Sequence, residues 1–397
     1  MNHDLRANFM EYLLQTRKIA NIRLEEVEFS VAANFIEIGM LALQRIKIIE
    51  VVDYRQPITA TQAYSLVITA AALTVSGTLG NASVGMPYSA TLTGSGGYGP
   101  GTYTFAVVSG TLPQDIALSS IGVFSGTPTA VGSSTFTVQI TSTQTTQPIT
   151  ATQSFTIVVG VAPAPTVTIT GLPSSLTPAT QPVLTVNSGT TYPTAITGTI
   201  TLTFAPASGP DDPNVQFTTG GRTATFQIPA GSTLGLFGTG GAPGLQTGTV
   251  AGTITLTWNL MAAGIDITSS PPPTLVLVVG KMAPVITSVT ITPPDGATTT
   301  SAGFNLLIVG YSTTRDMTSA TVTCNPASGV TLSNNTETVQ LGQAFTTWYQ
   351  SSVSAAFGSM FLLEIPFTVQ NGTNPLASVS VTLTNSQGTS APATATF

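Results

Sequence analysis

The segment Gln56-Pro-Ile-Thr-Ala-Thr-Gln-Ala-Tyr-Ser-Leu-Val-Ile68 returns, 91 residues later, as Gln147-Pro-Ile-Thr-Ala-Thr-Gln-Ser-Phe-Thr-Ile-Val-Val159. Repetition at this interval implies a tandem array of small units rather than one continuous core. Between the two copies, short alternating apolar and polar runs are punctuated by Gly, Pro and Ser/Thr turns every ~8–12 residues, the pattern of an antiparallel sandwich. Residues 56–72 therefore read as the terminal strand of a preceding copy whose earlier strands are missing or replaced. The simplest expectation is that the chain begins inside a longer repeat protein. Such a strand must pair with residues 22–52 or leave an open edge.

The complete unit spans residues 73–160. Tyr103, Phe105 and Val107 alternate onto one face, and Phe136, Val138 and Ile140 onto the face of a facing strand. Gly94 to Gly101 reads as a glycine-rich turn, and Pro113 and Pro128 as bends. Three motifs stand in order here. They are Val84-Gly85 through Tyr88-Ser-Ala-Thr-Leu, Ser109-Gly-Thr-Leu-Pro113, and Gly122-Val-Phe-Ser-Gly-Thr-Pro128 followed by Gly132 and Phe136-Thr-Val. Together they resemble the Putative Ig domain of bacterial surface and secreted proteins, a cadherin-like family defined by its fold.

The resemblance implies a calcium-linked superfamily, and the complete repeat departs from its pattern. Where related repeats often end a strand with Val-Thr-Asp, this one has Ile140-Thr-Ser142; the partial copy keeps the aspartate in Val51-Val-Asp53. Calcium takes six to eight oxygens, supplied largely by clustered carboxylates and backbone carbonyls. The complete unit carries one acid, Asp115.

After the stiff join Val161-Ala-Pro-Ala-Pro165, residues 161–280 and 281–397 read as two related β-sandwich domains. Thr199-Ile-Thr-Leu-Thr-Phe-Ala-Pro-Ala-Ser-Gly209 recurs as Ser319-Ala-Thr-Val-Thr-Cys-Asn-Pro-Ala-Ser-Gly329. Within the first of them, Gly198-Thr-Ile-Thr-Leu-Thr203 recurs at Gly252-Thr-Ile-Thr-Leu-Thr257, so two similar strands sit in one sandwich. Residues 1–55 differ from the rest. A helix is expected over about 4–20, with strands or a second helix over 22–52. The fold class is thus all-β: tandem immunoglobulin-like or cadherin-like antiparallel β-sandwiches behind a short, atypical, partly helical N-terminal segment.

Charge sharpens this division. Residues 1–57 hold seven Lys/Arg and eight Asp/Glu, whereas residues 58–397 hold three and eight. The long β body must face water through Thr, Ser, Asn, Gln and Gly, which suits an extracellular stalk or adhesin. Arg222, Lys281 and Arg315 are too dispersed for a phosphate-binding stripe, so nucleic acid is not an expected partner. The lone Cys324 excludes an intramolecular disulfide. No apolar run is long enough for a spanning helix. The first residues lack the apolar core of a signal peptide, at odds with the surface-type body.

Catalytic parts are scarce. His3 is the one histidine, which removes Ser-His-Asp and Cys-His arrangements from the β body, along with histidine-rich metal sites. The runs Gly94–Gly97 and Gly238–Gly241 lack the Lys-Ser/Thr of a phosphate loop and read as turns. Asp211 and Asp212, in Gly209-Pro-Asp-Asp-Pro213, are the candidate calcium ligands, with a surface turn as the plain alternative. Phe345, Trp348, Tyr349, Phe357 and Phe361 form the densest aromatic group, expected on a short helix or a loop over a sandwich end. Trp348 and Tyr349 are the candidate carbohydrate-stacking pair, against a local hydrophobic plug. Cys324 and Trp258 are expected in cores.

These readings converge on a non-enzymatic extracellular or cell-surface protein, acting in adhesion or as a structural spacer. Its partners would be other surface proteins or polysaccharide, and no cofactor is expected. A carbohydrate-binding accessory module and a calcium-binding adhesion module are the alternatives.

Overall fold

The computed structural model describes residues 51–53, 56–58, 70–143, 148–238, 240–370 and 373–397. The helix expected over 4–20, and the expectations for residues 22–50, lie outside these. Val51–Asp53 and Gln56–Ile58 pair antiparallel, with Val51 opposite Ile58. The start of the repeated segment thus pairs with the residues just before it, and residues 59–69 of that expected strand lie outside the described residues.

Three hydrophobic cores follow along the chain. In the first, one sheet has the order Ala82–Ser83, Ile149–Gly160, Gly132–Ser142, Tyr103–Gly110. A second sheet joins Tyr88–Thr91, Val123–Gly126 and Ile116–Leu118. Strict alternation drives the layering: Phe136, Val138 and Ile140 are buried on a strand whose intervening residues are not. Phe124, from the other sheet, meets Phe136 with ring centroids 5.6 Å apart. Burying a phenylalanine this fully contributes ~2–3 kcal/mol. Tyr103–Gly110 and Gly132–Ser142 prove to be neighbours in one sheet, Phe105 beside Ile140, rather than opposed across the core.

The Gly94–Gly97 run is not a turn. Thr93–Gly97 is a strand that pairs with Ala71–Ser76. Glycine is required at Gly96 by close approach: a Cβ there would lie 1.9 Å from the Ala72 carbonyl oxygen. The chain turns after it, at Tyr98–Gly101.

In the second core, Ile196–Pro206 and Gly252–Ala262 are the antiparallel centre of the main sheet, with Leu202 opposite Leu256. The two recurring segments, expected in one sandwich, are direct neighbours in one sheet. Thr274–Val279 and Thr223–Ile228 flank them. Trp258 is buried on the inner face, as expected. The opposing layer is built from the pairs Val167–Thr170 with Thr185–Ser188 and Val215–Phe217 with Leu245–Thr247.

The third core lies between two sheets. One is Val285–Thr292, Gly303–Tyr311 and Met360–Thr368; the other centres on Ser319–Pro326 and Leu376–Asn385. Ser319–Pro326 occupies the place of Ile196–Pro206, between the next strand of its sheet and a later one. Cys324 is half-buried, not fully enclosed, because it sits near the end of that strand; partial burial raises its thiol pKa.

Where charge is absent, hydroxyls face one another across strands. Thr135 meets Thr156 at 3.0 Å and Thr137 meets Ser154 at 3.1 Å. Ser380 meets Thr394 at 2.7 Å. Such cross-strand pairs contribute a few tenths of a kcal/mol each, ~0.2–1. Among the described residues the one ion pair is Arg222 with Asp211.

Candidate functional site

Asp211 and Asp212 are adjacent in sequence but have separate roles. Asp211 is on the surface, with its carboxylate 2.7 Å from Arg222. Asp212 is fully buried at the contact between the second and third sandwiches. Its Oδ1 accepts the Asn214 amide at 2.9 Å. Its Oδ2 accepts the amides of Thr249 at 2.8 Å and Val250 at 3.2 Å. Backbone donors thus occupy the oxygens that a cation would need. Among the described residues no three His, Cys, Asp or Glu side chains gather where they could hold a metal ion. Asp115, whose Oδ2 accepts the Thr129 hydroxyl at 2.6 Å, lies in a different sandwich.

The third sandwich answers Asp212 with Arg315, whose role the sequence did not signal. Arg315 sits in a turn with φ of 57°, only 8% exposed. Its guanidinium donates to the Ser208 carbonyl at 2.8 Å, to the Pro210 carbonyl, and to the third sandwich's own Gly358 carbonyl at 3.2 Å. Burial lowers its pKa, and the nearby charges of Asp212 and Asp211 offset part of that shift. Arg315 is one of three basic residues after position 57, and its placement among backbone carbonyls satisfies a charge that would otherwise be costly to bury.

Hydroxyls complete the contact. The Ser359 hydroxyl donates to the Thr249 carbonyl at 2.7 Å, and the Ser359 amide donates to the Thr249 hydroxyl at 2.9 Å. The Ala251 amide donates to the Thr313 carbonyl at 2.9 Å. Gly358, with φ of 65°, packs so closely that a Cβ would lie 2.6 Å from Asp212 Oδ2. Asn385 ties the connecting segment down by donating to the Met282 carbonyl at 3.0 Å.

The aromatic group divides across this same end of the third sandwich. Helix Gly342–Gln350 has no side-chain cap and no charge at either end. Its hold on the domain is the burial of Phe345 and Tyr349, with Phe345 edge-on to Phe361 at 4.9 Å. Tyr349 donates its hydroxyl to the Ser359 carbonyl at 2.8 Å, and desolvation pushes its pKa far above the ordinary tyrosine value. Tyr349 therefore belongs to the plug and the junction, and the expected Trp348–Tyr349 surface pair does not form. Trp348 instead stacks on half-exposed Phe357, with centroids 6.4 Å apart and planes at 27°. Its indole N–H donates to the Met360 carbonyl at 3.2 Å. Val353 and Leu362 are also exposed on the flanking segments.

Residues 70–160 match the family model described as Putative Ig domain. No curated protein matches the chain. Among solved structures, similarity is found to the chicken CNTN1 FN1-FN3 domains at 11% identity, over 81% of this chain and 96% of that one, with a TM-score of 0.18. The titin domains z1z2 in complex with telethonin match at 13% identity, over 54% and 97%, with a TM-score of 0.31. Sidekick-1 immunoglobulin domains 1-5 match at 12%, over 83% and 59%, with a TM-score of 0.26.

Proposed function

We propose that this chain, whose residues 70–160 are a Putative Ig domain, is a non-enzymatic extracellular or cell-surface protein whose tandem sandwiches act as a structural spacer in adhesion. The buried junction at Asp212 and Arg315 carries the reading. A spacer must transmit orientation along its length, and a junction closed by buried, hydrogen-bonded charge resists bending. The low-charge, hydroxyl-covered surface and the shortage of catalytic residue types support it. The test is the location of the native protein in its own cells, read with antibody against residues 73–397 on intact and lysed cells. Labelling of intact cells, or recovery from the medium, is expected. Confinement to the cytosol, or a catalytic activity mapping to residues 73–397, would overturn the reading.

A second reading has its own observation, the stacked and partly exposed Trp348–Phe357 pair. Aromatic faces with exposed aliphatic neighbours suit the C–H faces of sugar rings. On this reading Trp348→Ala removes retention on a polysaccharide column while the melting temperature holds. Failure of the wild type to be retained on any glycan ends it.

A further inference from the structure

The outer face of the second sandwich carries a groove of about 600 Å³, on no element discussed above as a site. Three adjacent strands build it. Thr197 and Thr199 on Ile196–Pro206 stand beside Gln227 and Thr225 on one side, and beside Met261 and Asn259 on the other. Leu236 closes the far edge; its backbone exchanges two hydrogen bonds with Gln227, at 2.9 and 2.8 Å. Period-two alternation forces this composition: the inward positions are Ile196, Ile200, Phe226, Ile228, Trp258 and Leu260, leaving the polar residues outward.

The lining is uncharged and well supplied with hydrogen-bonding groups. Thr197, Thr199, Thr225, Gln227 and Asn259 line one space. Asn259 spends its Oδ1 on the Thr199 amide at 2.9 Å, which fixes the carboxamide and turns its N–H₂ away from that bond. Within the described protein the Gln227, Thr197 and Thr225 side chains are engaged by no hydrogen bond and stay exposed. Leu236, 53% exposed, and half-buried Met261 add apolar surface at opposite sides. At the margin, Asp266 pairs with Met261 and its Oδ1 accepts the Thr268 amide at 2.8 Å.

The face continues beyond the groove as rows of threonine. Thr201 lies opposite Thr257 and Thr223, and Thr203 opposite Thr255. Neighbouring strands are ~4.8 Å apart and same-face residues ~6.7 Å apart, so the hydroxyls form a regular lattice leading out of the groove. An anionic polymer finds no counter-charge here. A lipid surface or apolar helix would need a wide apolar face, and Leu236 and Met261 do not make one.

We infer that this groove and the threonine rows beyond it bind a neutral polysaccharide chain. The amides and hydroxyls pair with sugar hydroxyls, and Leu236 and Met261 pack on ring C–H faces. This deepens the adhesion reading by naming a ligand class, and it rests on a different domain from Trp348. The experiment is native gel electrophoresis of the full chain in gels containing hydroxyethyl cellulose, xyloglucan or dextran, with polygalacturonate as the anionic comparison. Retardation in at least one neutral polymer is expected. The double variant Gln227→Ala with Thr225→Ala should lose at least tenfold in affinity at unchanged melting temperature, since neither side chain has a partner in the protein. Trp348→Ala should migrate like the wild type. No retardation in any neutral polymer, or retardation in polygalacturonate alone, overturns the inference. So does retardation that survives the double variant or is lost with Trp348→Ala. Cell-surface location of a protein that fails this test would leave the spacer reading standing and remove only the ligand.

Discussion

The two joins between the three sandwiches are made by different chemistry. The first, Val161-Ala-Pro-Ala-Pro165, is short and proline-stiffened. Val161 and Ala162 pack against the second core, and the Tyr192 hydroxyl donates to the Ala162 carbonyl at 2.6 Å. Gly85 of the first sandwich touches Pro193 of the second: a Cβ there would lie 3.0 Å from the Pro193 carbonyl oxygen. The second join is a buried polar interface, with Asp212, Arg315, Thr249 and Ser359 all at most 8% exposed. The first join is a proline-stiffened segment held by one side-chain hydrogen bond, and the second is a face of buried charged and hydroxyl side chains. The lesson is that a β body poor in charge buries two of its few charged residues where two sandwiches meet.

Breaking the second join should have the largest effect. Asp212→Ala strands the buried amides of Thr249 and Val250, and should cost ~3 kcal/mol in denaturant unfolding of the second sandwich. A loss under 1 kcal/mol would mean that water replaces the carboxylate. Arg315→Ala should cost ~2 kcal/mol and, more tellingly, broaden the distance distribution in X-ray scattering of the full chain. An unchanged distribution would show that the hydroxyl contacts alone hold the angle.

Gly358→Ala is next, at ~1–2 kcal/mol, because the new methyl group meets the Asp212 carboxylate in a left-handed backbone. At the first join, Tyr192→Phe removes one hydrogen bond and should cost ~1 kcal/mol without altering the scattering profile. If it alters that profile as much as Arg315→Ala does, the contrast between the joins fails.

Alkaline titration with Tyr349→Phe probes the second join in another way. The folded-state pKa of Tyr349 is raised by burial, so its contribution to stability is complete below the unfolded value of ~10 and is lost as pH rises above it. Unfolding above that pH should be favoured in the wild type, and less so in Tyr349→Phe. Equal alkaline sensitivity in the two proteins would remove Tyr349 as the cause.

Much of the strand architecture was legible because alternation and turn residues act locally. The recurring Thr-Ile-Thr-Leu-Thr segments could be placed in one sandwich because their patterns match, whereas their adjacency in one sheet emerged only from the strand pairing. Gly94–Gly97 misled because glycine signals both a turn and a close crossing of strands, and the Ala72 carbonyl that distinguishes them is remote in sequence. The Trp348–Tyr349 pair misled because adjacent residues on a helix point about 100° apart, so that one can face solvent while the other is buried.

Sequence by itself determined the β class, the repeat, the hydroxyl-rich surface and the scarcity of catalytic groups, since each follows from composition or short-range period. Tertiary structure alone decided what the few charges do. Asp212 and Arg315 are 103 positions apart, and no local pattern relates them. That both lie at one junction depends on how two finished sandwiches stack. The groove on the second sandwich likewise exists only once three strands distant in sequence lie side by side.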